Sequence, residues 1–185
     1  IIYNTQAATV FMEMDHGPML VENNILVGQA VSSNSEAQVF AHNLFVDNGF
    51  IYHPDTLRRS AYYKPHTLKM VDTKIGIAQD DKWYNNIFVR QGLDNVKMAS
   101  GYESDYNVFL EGAKKSTFGD NNSKVDSYVT GFTIKDDTLG VTITFNMNNT
   151  PFGMKGSIVD SKLVGVFPTV GQTIEDREGN PITVN

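Results

Sequence analysis

Four stretches decide the fold: Val21-Glu-Asn-Asn-Ile-Leu-Val27, Ala41-His-Asn-Leu-Phe-Val46, Trp83-Tyr-Asn-Asn-Ile-Phe-Val89 and Asp105-Tyr-Asn-Val-Phe-Leu110. Each places an Asn before an aliphatic residue, then Leu or Phe, then Val or Leu. The anchoring asparagines are Asn24, Asn43, Asn86 and Asn107, spaced 19, 43 and 21 residues apart. The middle interval is about twice the others, so the period is near 20 residues, the mark of a solenoid. The units are rich in Val, Ile and Phe and lack the i, i+3, i+4 spacing of a helix. The stricter leucine frame of a leucine-rich repeat is also missing. A parallel β-helix fits, with short strands joined at corners and coils stacked about 4.8 Å apart. The chain holds 17 asparagines, a residue normally depleted in strands. Asn at a corner tolerates the left-handed conformation, and stacked side-chain amides hydrogen-bond along the axis. The ladder asparagines therefore read as structural.

Outward from these anchors, the doubled interval holds an excursion over about 49–80, where Tyr, His, Arg and Pro concentrate. A long loop on a rigid scaffold is where binding chemistry tends to sit. From about 116 a polar run leads into alternating segments with turns, which reads as antiparallel strands. The expected organisation is a solenoid over 1–115 and a small antiparallel, sandwich-like module over 116–185 that caps the solenoid's open end. The chain opens on Ile1-Ile2-Tyr3 inside a strand-like stretch, so further N-terminal coils of the same protein are expected, making this β-helix incomplete at that end.

With 185 residues, 41% hydrophobic and 19% charged, the chain can pack a core and is not a disordered segment. A formal net charge of −6 argues against nucleic acid as a partner. The absence of cysteine removes disulfides, thiolate metal sites and a thiol nucleophile. No apolar run is long enough for a membrane span, and no signal peptide is apparent.

Carboxylates cluster ahead of the ladder strands. Glu13, Asp15 and His16 precede the first, Asp80 and Asp81 the third, Glu103 and Asp105 the fourth. In a solenoid, similar offsets from the anchor imply one face, so these groups are expected to line a single groove. Stacked like charges drive their proton affinities apart, which suits the acid and the nucleophile or base of glycoside hydrolysis. Asp80 and Glu103 are 23 residues apart, close to one coil. Their offsets from the anchors differ by two residues, about 6.6 Å of straight strand, which the corner between them must absorb. Trp83 reads as core rather than sugar platform. A calcium-dependent lyase, with Arg58, Arg59 or Arg90 as base, is a weaker reading, since no regular Asp-x-Asp spacing supports a cation site. A non-catalytic β-helix that binds carbohydrate is the other alternative.

The segments Glu13-Met-Asp-His-Gly-Pro-Met-Leu-Val-Glu-Asn-Asn-Ile-Leu-Val27, Tyr62-Tyr-Lys-Pro-His-Thr67 and Gln79-Asp-Asp-Lys-Trp-Tyr-Asn-Asn-Ile-Phe-Val89 resemble, in this order, glycoside hydrolase family 120, the β-xylosidases. The resemblance covers about residues 8–115. It implies a right-handed parallel β-helix and a retaining mechanism that releases xylose from xylo-oligosaccharides without a cofactor or metal. Carried onto this chain, it puts the nucleophile in the Asp80-Asp81 pair, Asp80 favoured, and the acid/base at Glu103, with Asp105 and Glu111 as alternatives. Glu13, Asp15, His16, Tyr63, His66 and Asp81 are the expected sugar contacts. It also implies a secreted or periplasmic location.

Overall fold

The computed structural model describes residues 1–63, 70–97, 100–151, 153–164, 173–175 and 178–183. His66 lies outside the described residues, as does the side chain of Tyr63. The chain is an all-β solenoid of about four turns. The first coil holds β1 (Val10–Met12), β2 (His16–Glu22) and β3 (Ile25–Val27); the second holds β4 (Ala30–Ser33), β5 (Glu36–Ala41) and β6 (Leu44–Val46). In the third, β7 (Gly49–Tyr52) leads into an antiparallel hairpin, β8 (Asp55–Tyr63) and β9 (Met70–Gly76), before β10 (Lys82–Tyr84) and β11 (Ile87–Val89). The fourth carries β12 (Glu103–Asp105) and β13 (Val108–Leu110), and β14 (Lys124–Asp126) adds a last parallel rung. The coils build three parallel sheets, β1-β4-β7, β2-β5-β10-β12 and β3-β6-β11-β13-β14. The hairpin occupies the doubled interval in the Asn spacing.

The ladder forms as the spacing predicts. The Oδ1 atoms of Asn43, Asn86 and Asn107 each accept the backbone N–H of the ladder asparagine one coil back, at 3.0, 3.0 and 2.8 Å. Each also accepts that residue's side-chain Nδ2–H, at 3.3, 3.2 and 3.1 Å. The second Nδ2 hydrogen of Asn43, Asn86 and Asn107 goes to the carbonyl of Val21, Phe40 and Trp83. Ser123 Oγ ends the ladder by accepting the Asn107 N–H at 2.8 Å. One detail differs from expectation. The left-handed residue is the one before the anchor: Asn23, His42, Asn85 and Tyr106, with φ of 58°, 55°, 58° and 57°. The anchor itself points inward to bond its neighbours, so the corner must be turned one position earlier. Gly28, Asp47, Arg90 and Glu111 turn the next corner in the same way, each non-Gly residue at a cost of about 1–2 kcal/mol.

Inward positions stack along the bore. The rings of Phe45, Phe88 and Phe109 follow one another at 5.0 and 4.9 Å, within 9° of parallel. Phe40 lies on Trp83 at 5.8 Å, and Trp83 is fully buried, in the core as read.

The C-terminal part departs from the expected cap. The parallel stack continues past residue 115 to Asp126. Two separate antiparallel pairs follow, β15 (Thr133–Asp137) with β16 (Gly140–Thr144), and β17 (Thr173–Glu175) with β18 (Pro181–Thr183); between them lies one helical turn, α1 (Ser161–Val164). Phe132, Phe145, Met147 and Met154 pack on the outward side chains of Val46, Val89, Val108 and Leu110. Leu163 and Val164 pack on Leu20, Val39 and Ala41. Tyr3 Oη donates to Asp136 at 2.6 Å and Asn85 Nδ2 to the Ser157 carbonyl at 2.8 Å. The tail thus runs along the flank. The outer faces of two sheets are apolar here, and covering them returns about 25 cal/mol per Å². Among the described residues no helix is long and apolar enough to cross a membrane.

Asn86→Ala strands two donors of Asn43 and the Phe40 carbonyl inside the core. Unfolding in urea is expected to show a loss of about 3 kcal/mol, against about 0.5 kcal/mol or less for the exposed control Asn95→Ala.

Candidate functional site

The second sheet fixes the frame. Val39, Lys82 and Glu103 are direct partners across three coils, so two positions earlier Ala37, Asp80 and Gly101 share one corner. All three are left-handed, with φ of 60°, 58° and 77°. Ala37 N–H donates to the Gln79 carbonyl and Asp80 N–H to that of Ser100, both at 2.9 Å. Asp80 is exposed. Its carboxyl lies across the α-carbon of Gly101, where a Cβ would overlap Oδ1. The Asp80 side chain therefore leans onto the coil that carries Glu103.

Glu103 projects from the outer face of β12 and is exposed. Tyr84 Oη donates to its Oε2 at 3.0 Å, and Lys82 Nζ stands 3.6 Å from its Oε1. The other two acids considered for the acid/base role are engaged elsewhere. Asp105 accepts the N–H and Nδ2–H of Asn122 at 2.6 and 2.7 Å. Glu111 sits at a different corner, held by Arg90 Nη1 at 2.9 Å and Thr130 Oγ1 at 2.5 Å. Arg90 also makes two 2.6 Å bonds to Asp47, which ties three coils together.

Asp81 points the other way. It is buried with no exposed surface, and its Oδ1 accepts the Gln38 N–H at 2.9 Å. Burial pushes its carboxyl up to about 7; the Gln38 N–H and the neighbouring Tyr52 hydroxyl pull back, and Asp80 and Glu36 add to the rise. Asp81 is therefore interior rather than a solvent-facing sugar contact.

Glu13 and His16 contact the hairpin. Glu13 pairs with Arg58 on β8. Asp15 is exposed, and its N–H donates to Ser35 Oγ at 2.8 Å. The His16 side chain is covered by the hairpin: Nε2 lies 2.7 Å from Ser60 Oγ and Nδ1 3.6 Å from Glu36 Oε1. Glu36 in turn accepts from Lys74 at 3.0 Å and Gln79 at 2.6 Å, and Lys74 caps the Tyr62 ring at 3.7 Å. These groups clamp the hairpin to the solenoid. The offsets from the anchors are not alike. Glu13 precedes Asn24 by eleven residues and Asp80 precedes Asn86 by six, and β2 carries an irregularity between His16 and Met19. Tyr63 closes β8 on the same hairpin, its backbone paired with Met70.

Sequence reasoning missed Lys82, Tyr84 and Gly101 beside the exposed acids, and the Glu36–Lys74 contact that joins the solenoid to the hairpin. Alternation about the inward Trp83 places Lys82 and Tyr84 on the outer face, a signal that was available. A cavity of about 910 Å³ opens elsewhere, on the outer face of the first sheet between Phe11, Ile51, His53, Leu57 and Arg58. Among the described residues no three of His, Asp and Glu converge on a cation-sized site.

The fold and this corner define a parallel β-solenoid with two exposed carboxylates one coil apart. No protein-family model matches the chain, and no curated protein matches it. Among solved structures its fold is similar to that of XylC in complex with xylose, with a TM-score of 0.68 and 19% sequence identity. The match covers 94% of this chain and 32% of XylC, so the chain spans about a third of that protein's length. At this identity the similarity establishes the fold.

Gly101→Ala puts a methyl group where the Asp80 carboxyl lies and imposes positive φ on a residue with a Cβ. The urea midpoint is expected to fall by an amount equivalent to about 1–3 kcal/mol. Gly112→Ala, also left-handed at φ 88° but with open space at its Cβ, is expected to cost about 1–2 kcal/mol.

Proposed function

We propose that this chain carries the catalytic pair of a retaining glycoside hydrolase acting on β-xylosides. Asp80 attacks the anomeric carbon to form a covalent glycosyl ester. Glu103 protonates the departing oxygen, then takes a proton from the water that cleaves the ester. The observation that carries this reading is that the exposed Asp80 carboxyl leans across Gly101 onto the coil bearing the exposed Glu103. One coil spacing and two residues of strand separate the two backbones by about 8 Å. A retaining pair needs roughly 5–5.5 Å between its carboxyls, so the two side chains must lean toward each other across this gap. The engagement of Asp105 and Glu111 by other groups supports Glu103 as the acid/base. Similarity in fold to a protein that binds xylose supports xylo-oligosaccharides as the substrate class.

The hairpin β8–β9 precedes the Asp80 corner directly and is rooted on coils one and two through Glu13, His16 and Glu36. Tyr63 and His66 are proposed to contact sugar hydroxyls.

Hydrolysis of an aryl β-xyloside by the full-length protein tests the reading. Asp80→Asn is expected to lose at least about 10³-fold in kcat. Glu103→Gln is expected to lose about 10²–10⁴-fold, with azide restoring turnover of an activated aryl leaving group and giving the β-xylosyl azide. Unchanged activity in Asp80→Asn rejects the nucleophile, and an inverted first product rejects the retaining mechanism. Saturable xylo-oligosaccharide binding without turnover points to the non-catalytic alternative.

A further inference from the structure

We infer that Asp81 is a positioning residue: its buried carboxyl anchors to the preceding coil the stretch of backbone that carries Asp80 and holds Glu103. Its catalytic consequence rests on the reading above; its effect on stability does not.

The ties are short and specific. Asp81 is joined to Asp80 by one peptide bond, and its carbonyl accepts the Glu103 N–H at 3.1 Å. Its Oδ1 reaches back one coil to the Gln38 N–H at 2.9 Å. Its Oδ2 is buried beside the equally buried Tyr52 hydroxyl. The interior corner repeats this arrangement one coil earlier with neutral groups, where Gln38 Nε2 donates to Ser33 Oγ at 2.9 Å. Ser33 is the direct partner of Tyr52, and the register that pairs Val39 with Lys82 stacks Gln38 against Asp81. A carboxylic acid in its neutral form completes this rung; an anion without a cation does not.

The titratable groups facing Asp81 are Tyr52 from β7, Tyr102 from the approach to β12, Glu36 from β5 and Asp80 beside it. None supplies a positive charge. Desolvation raises the Asp81 carboxyl to about 7, above the roughly 3.9 of an unfolded chain. Between these values the native state holds a proton that the unfolded state has released, so stability falls as pH rises. The loss begins near pH 4, is complete just above about pH 7, and loosens the corner under both exposed acids.

The test compares the full-length wild type with Asp81→Asn, whose amide keeps the Gln38 acceptor and offers Tyr52 a donor. Urea midpoints are measured from pH 4 to pH 9, with kcat and KM on an aryl β-xyloside over the same range. The wild-type midpoint is expected to decline relative to Asp81→Asn from about pH 4 to about pH 7, leaving the variant the more stable at pH 8. Loss of the Glu103 proton gives both an alkaline fall in kcat, and the wild type is expected to fall at lower pH than Asp81→Asn, with KM unchanged. Tyr52→Phe removes the hydroxyl dipole beside Oδ2 that favours the anion, so its decline is expected to extend to higher pH. Parallel midpoint curves for wild type and both variants overturn the inference, as does an alkaline fall in kcat at the same pH in wild type and Asp81→Asn. If Asp80→Asn stays active while the midpoint curves diverge as described, the catalytic reading falls and the structural tie stands. If Asp80→Asn is inactive and the curves and profiles coincide, only this inference falls.

Discussion

The structure depends on keeping successive coils in register, and the buried asparagine ladder enforces it. The amides of Asn43, Asn86 and Asn107 each satisfy a backbone N–H one coil back, a side-chain donor on the same residue, and a carbonyl within that same preceding coil. A one-residue slip would orphan all three inside the core, at about 1–3 kcal/mol for each buried group, and would turn the phenylalanine stack outward. The sheet through β6, β11 and β13 accordingly shows no shift from Leu44 to Val108. Everything said about the acids follows from this alignment, because it sets Asp80 opposite Gly101 and Lys82 opposite Glu103.

Burial then sorts chemically similar neighbours. Asp80 and Asp81 are adjacent in sequence, and the left-handed bend at Asp80 leaves one carboxyl in solvent and the other in the bore. Glu103, Asp105 and Glu111 lie within nine positions of one another, and their partners separate them: a tyrosine and a lysine for the first, an asparagine for the second, an arginine and a threonine for the third. Residue type alone makes these groups interchangeable; the polar atoms around them do not.

The solenoid was readable because its signal is repetitive and local. Asn24, Asn43, Asn86 and Asn107 each face the same packing problem and solve it with the same side chain. Trp83 was readable as core for the same reason, lying between two outward positions of a short strand. The grouping of the acids was not readable beyond the Asp80–Glu103 coil spacing. The irregularity in β2 and the hairpin that covers His16 depend on contacts across more than forty residues, such as His16 with Ser60 and Glu36 with Gln79. The flank position of the C-terminal segment was hidden as well. Alternation in that stretch reveals strands, but the surface they cover is set by the outward Val46, Val89 and Leu110 of distant coils.

The account stands on the claim that the ladder holds Asp80 and Glu103 as a working pair across one coil. Trapping with a slow 2-fluoro-β-xyloside, followed by peptide mass spectrometry of the full-length protein, reads it directly. The account predicts one fluoroxylosyl group, attached at Asp80 and absent in Asp80→Asn. A label on any other residue, or turnover with no adduct, would contradict it.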